Sequence, residues 1–145
     1  MSVIFGSLGG VGLLVSLALR WTDLLVLQAY DDTRRYCAGY QFYDCLGAPG
    51  GLLTAMIGVA GLGAICASGN GDANIALGCG VLAFVTVAVS FLALTVIGPV
   101  ERSERGYIGV EPHLELGGVI AGVSAVLALV GGLLAWRERR LTSPA

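Results

Sequence analysis

The sequence predicts an all-α integral membrane protein: a left-handed four-helix transmembrane bundle with a small extracellular β-element stapled by a disulfide. Four runs of residues are nearly free of charge and reach the roughly 17–25 apolar residues that a spanning helix requires. Hydrophobic residues make up 56% of the chain and charged residues only 12%, whereas soluble domains are about 25% charged. The largest polar segment, between the first two runs, contains a close pair of cysteines.

The four runs account for most of the 145 residues, so we expect a single transmembrane domain over residues 1–145 without a separate soluble domain. The first run is expected to be retained, because no basic residue precedes it and no small-residue cleavage motif follows it. The predicted helices lie at about residues 2–20, 50–67, 73–97 and 115–136, the outer loops at 21–49 and 98–114, and the cytoplasmic tail at 137–145.

The arginines predict how the chain sits in the membrane. Three of them fall within residues 137–140, and positive charge is enriched at cytoplasmic flanks. With four spans, both termini are then cytoplasmic, and we expect a multi-pass protein of the plasma membrane. The predicted membrane-boundary residues are Arg20, Trp21, Glu115 and Trp136, since charged side chains and indoles commonly occupy the headgroup level.

The cysteines divide between compartments. Cys37 and Cys45 lie in the first outer loop, where a close pair outside the cytoplasm is most simply a disulfide. A metal site and a redox-active pair are the alternatives, but the chain has no second Cys/His pair at ligand spacing and no Cys-x-x-Cys motif. Cys66 and Cys79 fall within the apolar runs, and we expect both to be small buried packing residues.

Small residues are predicted to hold the helices together. The chain contains 23 glycines, many of them at helical spacing within the apolar runs. Helices in lipid associate largely through close approach at such residues. The pattern fits contacts within one bundle and contacts between protomers, and we favour the first. The predicted packing glycines are Gly6, Gly10, Gly58, Gly61, Gly118 and Gly122.

Ionisable residues are missing from the middle of all four runs. Such groups usually mark transporters and pumps, and catalysis needs acids, bases or nucleophiles. We therefore predict no catalytic residue, no metal site and no cofactor; an enzyme would need a cluster of Asp44, His113 and Glu115 across the loops. A net charge of −2 argues against nucleic acid, so we expect membrane lipid and a second copy or another membrane protein as partners.

Aromatic residues are concentrated in the first outer loop. Exposed tyrosines on a rigid loop are typical of contact surfaces, although the same rings can pack on helix ends at the lipid interface. Residues 23–30 fit either a strand or a continuation of the first helix, because leucine and alanine favour helix. The predicted contact loop comprises Tyr30, Asp31, Asp32, Arg34, Arg35, Tyr36, Tyr40, Phe42 and Tyr43.

Several motifs follow one another along the chain: residues 17–21 with Arg20-Trp21, the cysteines Cys37 and Cys45, residues 114–118, and residues 131–134. In this order the chain resembles the claudin and peripheral myelin protein superfamily of tetraspan membrane proteins. The resemblance implies that residues 23–30 form the first strand of an extracellular sheet and that the two cysteines form a disulfide. The chain departs from claudins in lacking a Gly-Leu-Trp element before the first cysteine and in having a shorter loop.

These features together predict a claudin-like protein that acts by lateral or cell–cell association through its disulfide-stapled first extracellular loop. One alternative is an auxiliary subunit of a larger membrane complex, contacted through glycine-rich helix faces. Another is an oligomeric pore for ions or small solutes, with the charges of the outer loop setting its selectivity.

Overall fold

A computed structural model describes residues 1–28, 31–38, 48–94 and 110–142, and most of these residues are helical. This confirms the predicted helical class. The elements in chain order are α1 (Ser2–Ala18), β1 (Arg20–Gln28), β2 (Asp31–Ala38), α2 (Ala48–Asn70), α3 (Ala73–Leu92), β3 (Val110–Leu114) and α4 (Leu116–Thr142).

Three of the helices, α2, α3 and α4, are long and apolar enough to cross a membrane, judged by length and composition. Helix α1 is a shorter apolar helix of 17 residues. Large apolar side chains are exposed on the outside of each helix, among them Ile4, Val59, Phe84 and Val123. An apolar exterior on helices of this length is the arrangement expected of a membrane-embedded protein.

The helices form a ring in which each packs against two neighbours, in the order α1, α2, α3, α4 and back to α1. Gly6, near the start of α1, lies against Ser68 near the end of α2 and against Gly131 in the second half of α4. Consecutive helices are therefore antiparallel. The turn between α2 and α3 contains Gly71, whose φ of 71° favours glycine, and Asp72, whose carboxylate caps the start of α3.

Three antiparallel strands in the order β2-β1-β3 form a sheet at the end of the bundle where α1 ends and α4 begins. Thr22 in the central strand pairs with Cys37 of β2 and with Leu114 of β3. Of the two alternatives for residues 23–28, the structure has the strand. Pairing on both sides satisfies the backbone of β1, and this outweighs the preference of its leucines for helix.

Several predicted boundaries need correction. The first helix ends at Ala18 rather than near residue 20, and α2 extends over Ala48–Asn70 rather than 50–67. Helix α3 ends at Leu92, followed by a wider π-type turn at residues 93–94, and the predicted end at 97 lies outside the described residues. Residues 137–142 of the predicted tail continue α4, because arginine and glutamate are good helix formers.

Candidate functional site

The sheet is joined to the bundle with almost no connecting chain. Only Leu19 separates α1 from β1, and only Glu115 separates β3 from α4. The backbone N–H of Glu115 donates to the carbonyl oxygen of Trp21 at 2.9 Å. A Cβ built on Gly117 would lie 2.5 Å from the carbonyl oxygen of Arg20, so α4 begins directly against β1. The sheet is therefore a fixed extension of the helices.

Trp21 lies at the centre of this junction and is completely buried. Its indole N–H donates to the carbonyl oxygen of Ser16 at 2.8 Å, and its ring centroid lies 5.7 Å from that of Phe91 in α3. The carbonyl oxygen of Ser16 also accepts the backbone N–H of Leu19 at 3.2 Å, so the indole adds a second hydrogen bond at the end of α1. The sequence predicts Trp21 at the membrane boundary, and in the structure its side chain is enclosed by protein. Of the other predicted boundary residues, Arg20 is exposed and Glu115 is half-buried.

The predicted contact loop is seen only in part. Five of its residues lie in β2, which pairs with β1 from Gln28 opposite Asp31 to Thr22 opposite Cys37. Among the described strands, β2 is at one edge of the sheet. The loop residues in β2 are Asp31, Asp32, Arg34, Arg35 and Tyr36. Tyr30, Tyr40, Phe42, Tyr43 and the cysteine at 45 lie outside the described residues, so the disulfide stays a prediction.

Three predicted packing glycines lie between α1 and α2. A Cβ built on Gly10 would lie 2.6 Å from the carbonyl oxygen of Gly61, and one on Gly61 would lie 3.0 Å from that of Gly10. A Cβ on Gly6 would overlap the hydroxyl of Ser68. The backbones of the two helices approach closely at Gly10 and Gly61, whereas the close contact at Gly6 is with a serine side chain.

The other three predicted glycines differ among themselves. A Cβ on Gly118 would lie 3.0 Å from the carbonyl oxygen of Trp21, a tight contact. The nearest atoms to a Cβ on Gly58 and Gly122 lie 3.9 and 3.8 Å away, which is ordinary van der Waals distance. Gly58 and Gly122 therefore leave room for a methyl group.

The prediction missed glycines that make the closest contacts of α4. A Cβ on Gly131 would lie 2.5 Å from the backbone nitrogen of Gly6, and one on Gly132 would lie 2.7 Å from the carbonyl oxygen of Ala76. A Cβ built on Gly9 of α1, or on Gly80 of α3, would likewise lie too close to backbone atoms of α4. A usable signal was present: adjacent glycines are about 100° apart on a helix, so a doublet can face two neighbours.

Among the described residues, the buried polar side chains of the bundle are hydroxyl groups. Ser16 and Ser90 are buried and donate to carbonyl oxygens of their own helices, those of Leu13 and Thr86, at 2.7 and 2.8 Å. The Oγ1 of Thr86 is buried without a hydrogen-bond partner. Within the part of the chain that the structure describes, no group of three or more His, Cys, Asp or Glu residues is placed to hold a metal ion.

The two cysteines of the apolar runs occupy different environments. Cys66 is exposed on α2, which corrects the expectation that it is buried. Cys79 is half-buried, and its Sγ lies 2.5 Å from where a Cβ on Gly63 would be. Only Cys79 therefore acts as a packing residue between α2 and α3.

The opposite end of the bundle gathers the start of α1, the α2–α3 turn and the end of α4. The hydroxyl of Ser2 donates to Oε2 of Glu138 at 2.8 Å. Beside this bond is an open cleft of about 600 Å³, whose polar lining includes Asn70 and Asp72. Trp136, the fourth predicted boundary residue, is half-buried at this end. Polar and charged groups therefore collect at the end remote from the sheet.

Comparison of the chain with protein-family models, with curated proteins and with solved structures gave no match. The resemblance to claudins stays a prediction from the motifs of the sequence.

Proposed function

We propose that the chain is a non-enzymatic four-helix protein of the plasma membrane that acts by lateral or cell–cell association through the end that bears the sheet. In this proposal the bundle is left-handed, both termini are cytoplasmic, and the sheet is extracellular. Cys37 and Cys45 form a disulfide that fixes the segment after β2. As in claudin-like proteins, the partner is a second copy or another membrane protein.

The direct joining of the sheet to the bundle is the observation that supports this proposal. Association is weaker when flexible groups must become ordered on binding, so a contact surface that is already rigid binds more tightly. Here the central strand is fixed by the buried Trp21 and by the hydrogen bond from Glu115. Strand β2 pairs along that central strand and leads into residues 39–47, which carry three further predicted contact residues, Tyr40, Phe42 and Tyr43.

Replacing Cys37 and Cys45 together by serine is expected to reduce crosslinking between copies, or to a partner, roughly tenfold, since loosening the loop adds about 1–1.5 kcal/mol of ordering to association. Crosslinking of intact native membranes followed by electrophoresis measures this effect. Cys66→Ser with Cys79→Ser is the matched control, because it removes two thiols from the helices and leaves the loop unchanged.

The same membranes test the disulfide itself. Before reduction, a thiol-reactive maleimide should label Cys66 but neither loop cysteine. Labelling of Cys37 and Cys45 without reduction, or protease cleavage of the loop only from the cytosolic side, would contradict the proposal.

An auxiliary subunit of a larger membrane complex is the second candidate, and one observation favours it. Gly78 is exposed on α3 with no atom within 4 Å of where its Cβ would be, so this glycine has no packing role within the bundle. A glycine on the outside of a membrane helix permits close approach by another helix.

Replacing Gly78 by leucine is therefore expected to release such a partner while the bundle stays folded. Loss of an interface of this kind changes affinity by about 1–3 kcal/mol, an effect of about fivefold or more. Purification from native membrane in mild detergent, with quantitation of the co-purified protein, measures the release. An unchanged yield of partner would exclude this face of α3.

A further inference from the structure

A small groove lies between the first turn of α3 and the last turns of α4. Its volume is about 240 Å³, and it is lined by Asn74, Trp136, Arg139 and Arg140. Two guanidinium groups, one amide and one indole thus converge from two helices. None of the acidic residues that the structure describes lines this groove.

Stacking holds one of the two guanidinium groups in place. The Cζ of Arg140 lies 3.9 Å from the centroid of the Trp136 ring, which is a cation–π contact. Stacking uses the flat face of the guanidinium and leaves its N–H donors at the rim free for an acceptor. Arginine N–H groups match the oxygens of phosphate, and bind them in pairs.

The two nearby carboxylates accept hydrogen bonds from groups outside the groove lining or from the backbone. Glu138 accepts the hydroxyl of Ser2 and lines the larger cleft, which shares Arg139 with the groove. Asp72 accepts the backbone N–H groups of Asn74 and Ile75 as the cap of α3. The groove therefore combines positive charge with an amide whose backbone is already fixed.

The length of α4 places the groove at the level of lipid phosphates. Trp136 follows Leu116 by 20 residues, or about 30 Å of helix, which equals the hydrocarbon thickness of roughly 30 Å. Arg139 and Arg140 then lie about one turn farther out. An arginine beyond a boundary tryptophan is at the depth where headgroup phosphates reside.

We propose that this groove binds the phosphate group of an anionic phospholipid. The lipid belongs to the leaflet at the end of the bundle where α4 ends, remote from the sheet. Arg139 and Arg140 bind the phosphate oxygens, Asn74 donates to the headgroup from α3, and Trp136 lies against the start of the acyl chains. The binding ties α3 to α4 at the end where the sheet is absent. It depends on membrane insertion, and not on association through the sheet.

Native mass spectrometry of the full chain, released from detergent containing equal amounts of phosphatidylglycerol and phosphatidylcholine, tests this site. We expect one phosphatidylglycerol to be retained in preference. Arg139→Gln with Arg140→Gln should lower that preference about tenfold or more, because each arginine near the surface contributes on the order of 1 kcal/mol. Arg137→Gln is the matched control, since Arg137 is exposed in the same turn but does not line the groove.

Asn74→Ala distinguishes specific binding in the groove from nonspecific attraction of anionic lipid by the basic end of α4. It leaves the net charge unchanged and keeps the backbone bonds to Asp72, yet it should weaken the preference several-fold. The proposal would be overturned if Arg137→Gln lowered the preference for phosphatidylglycerol as much as the double arginine variant does. It would also be overturned if Asn74→Ala left that preference unchanged. Displacement of the lipid by inorganic phosphate at comparable concentration would overturn it as well, because the site would then bind a free anion. None of these outcomes bears on crosslinking through the sheet.

Discussion

Replacing Gly80 by alanine is expected to lower the free energy of unfolding of the bundle by about 1–3 kcal/mol, although alanine is the better helix former. A Cβ at this position would lie 2.7 Å from the carbonyl oxygen of Ala128 and 2.8 Å from the Cα of Leu129. Both are backbone atoms of α4, so no side chain can rotate away to make room. The backbones of α3 and α4 would have to move apart at this position.

Gly78→Ala is the matched control for this experiment. Gly78 lies two residues earlier on the same helix, and a Cβ there would meet no atom within 4 Å. The same change in composition should therefore raise stability by up to about 1 kcal/mol through helix propensity alone. Thermal or denaturant unfolding of the purified chain in one detergent, followed by circular dichroism, compares the two variants. Equal stability of both would mean that α3 and α4 do not approach as the structure has them.

The contrast between these two glycines shows how far the sequence predicts packing. Spacing of three or four residues marked Gly10 and Gly61, where the backbones of α1 and α2 lie in close contact. The same rule also marked Gly58, which has room for a methyl group, and missed Gly80 and Gly9. Spacing locates a face of a helix, but the tightness of contact depends on which neighbour that face meets in the ring.

Glycine doublets explain most of the missed contacts. Gly131 faces α1 while Gly132 faces α3, and in α1 Gly9 faces α4 while Gly10 faces α2. A helix in a closed ring of four has two neighbours, so adjacent glycines about 100° apart serve both. A single repeat of glycines lets a helix pack closely against one neighbour. Glycine doublets let it pack closely against two neighbours, as each helix of the ring does.

The ends of the helices were harder to predict than their existence. Absence of charge identified all four apolar runs, because charge is costly in hydrocarbon. Helix α1 ends where Trp21 folds back onto the carbonyl of Ser16, a contact that composition does not reveal. Helix α4 continues to Thr142, whose hydroxyl donates to the carbonyl oxygen of Glu138 at 3.1 Å. Hydropathy marks where a membrane segment ends, which is not where the hydrogen-bonded helix ends.

The strand at residues 23–28 depended on partners far away in the chain. Its leucines favour helix when considered alone, and the strand was predicted from the claudin resemblance rather than from propensity. In the structure Leu24 pairs with Arg35 of β2 and with Pro112 of β3. Strand preference largely measures fit to neighbouring strands, so one segment cannot reveal it in isolation.

Trp21→Ala is expected to lower the free energy of unfolding by about 3–5 kcal/mol, as for other large buried aromatic residues. The side chain is completely buried, and its loss would remove both the contact with Phe91 and the bond that caps α1. Trp21→Phe keeps a ring and removes the N–H donor. The hydrogen bond itself contributes about 0.5–1.5 kcal/mol, so this variant should lose clearly less stability.

Fluorescence distinguishes the buried indole from one at the membrane surface, because the chain has only two tryptophans. In a Trp136→Phe variant, Trp21 is the only tryptophan that fluoresces. Its emission should be blue-shifted, and neither water-soluble nor lipid-attached quenchers should reach the indole. In a Trp21→Phe variant, the half-buried Trp136 should be quenched more strongly. Phe91→Ala should make Trp21 more accessible, since it opens the ring contact that closes the junction. Strong quenching of Trp21 by lipid-attached groups in the unaltered junction would place the indole among the headgroups. The sheet would then lack its anchor to α1, and the rigid surface proposed for association would not exist.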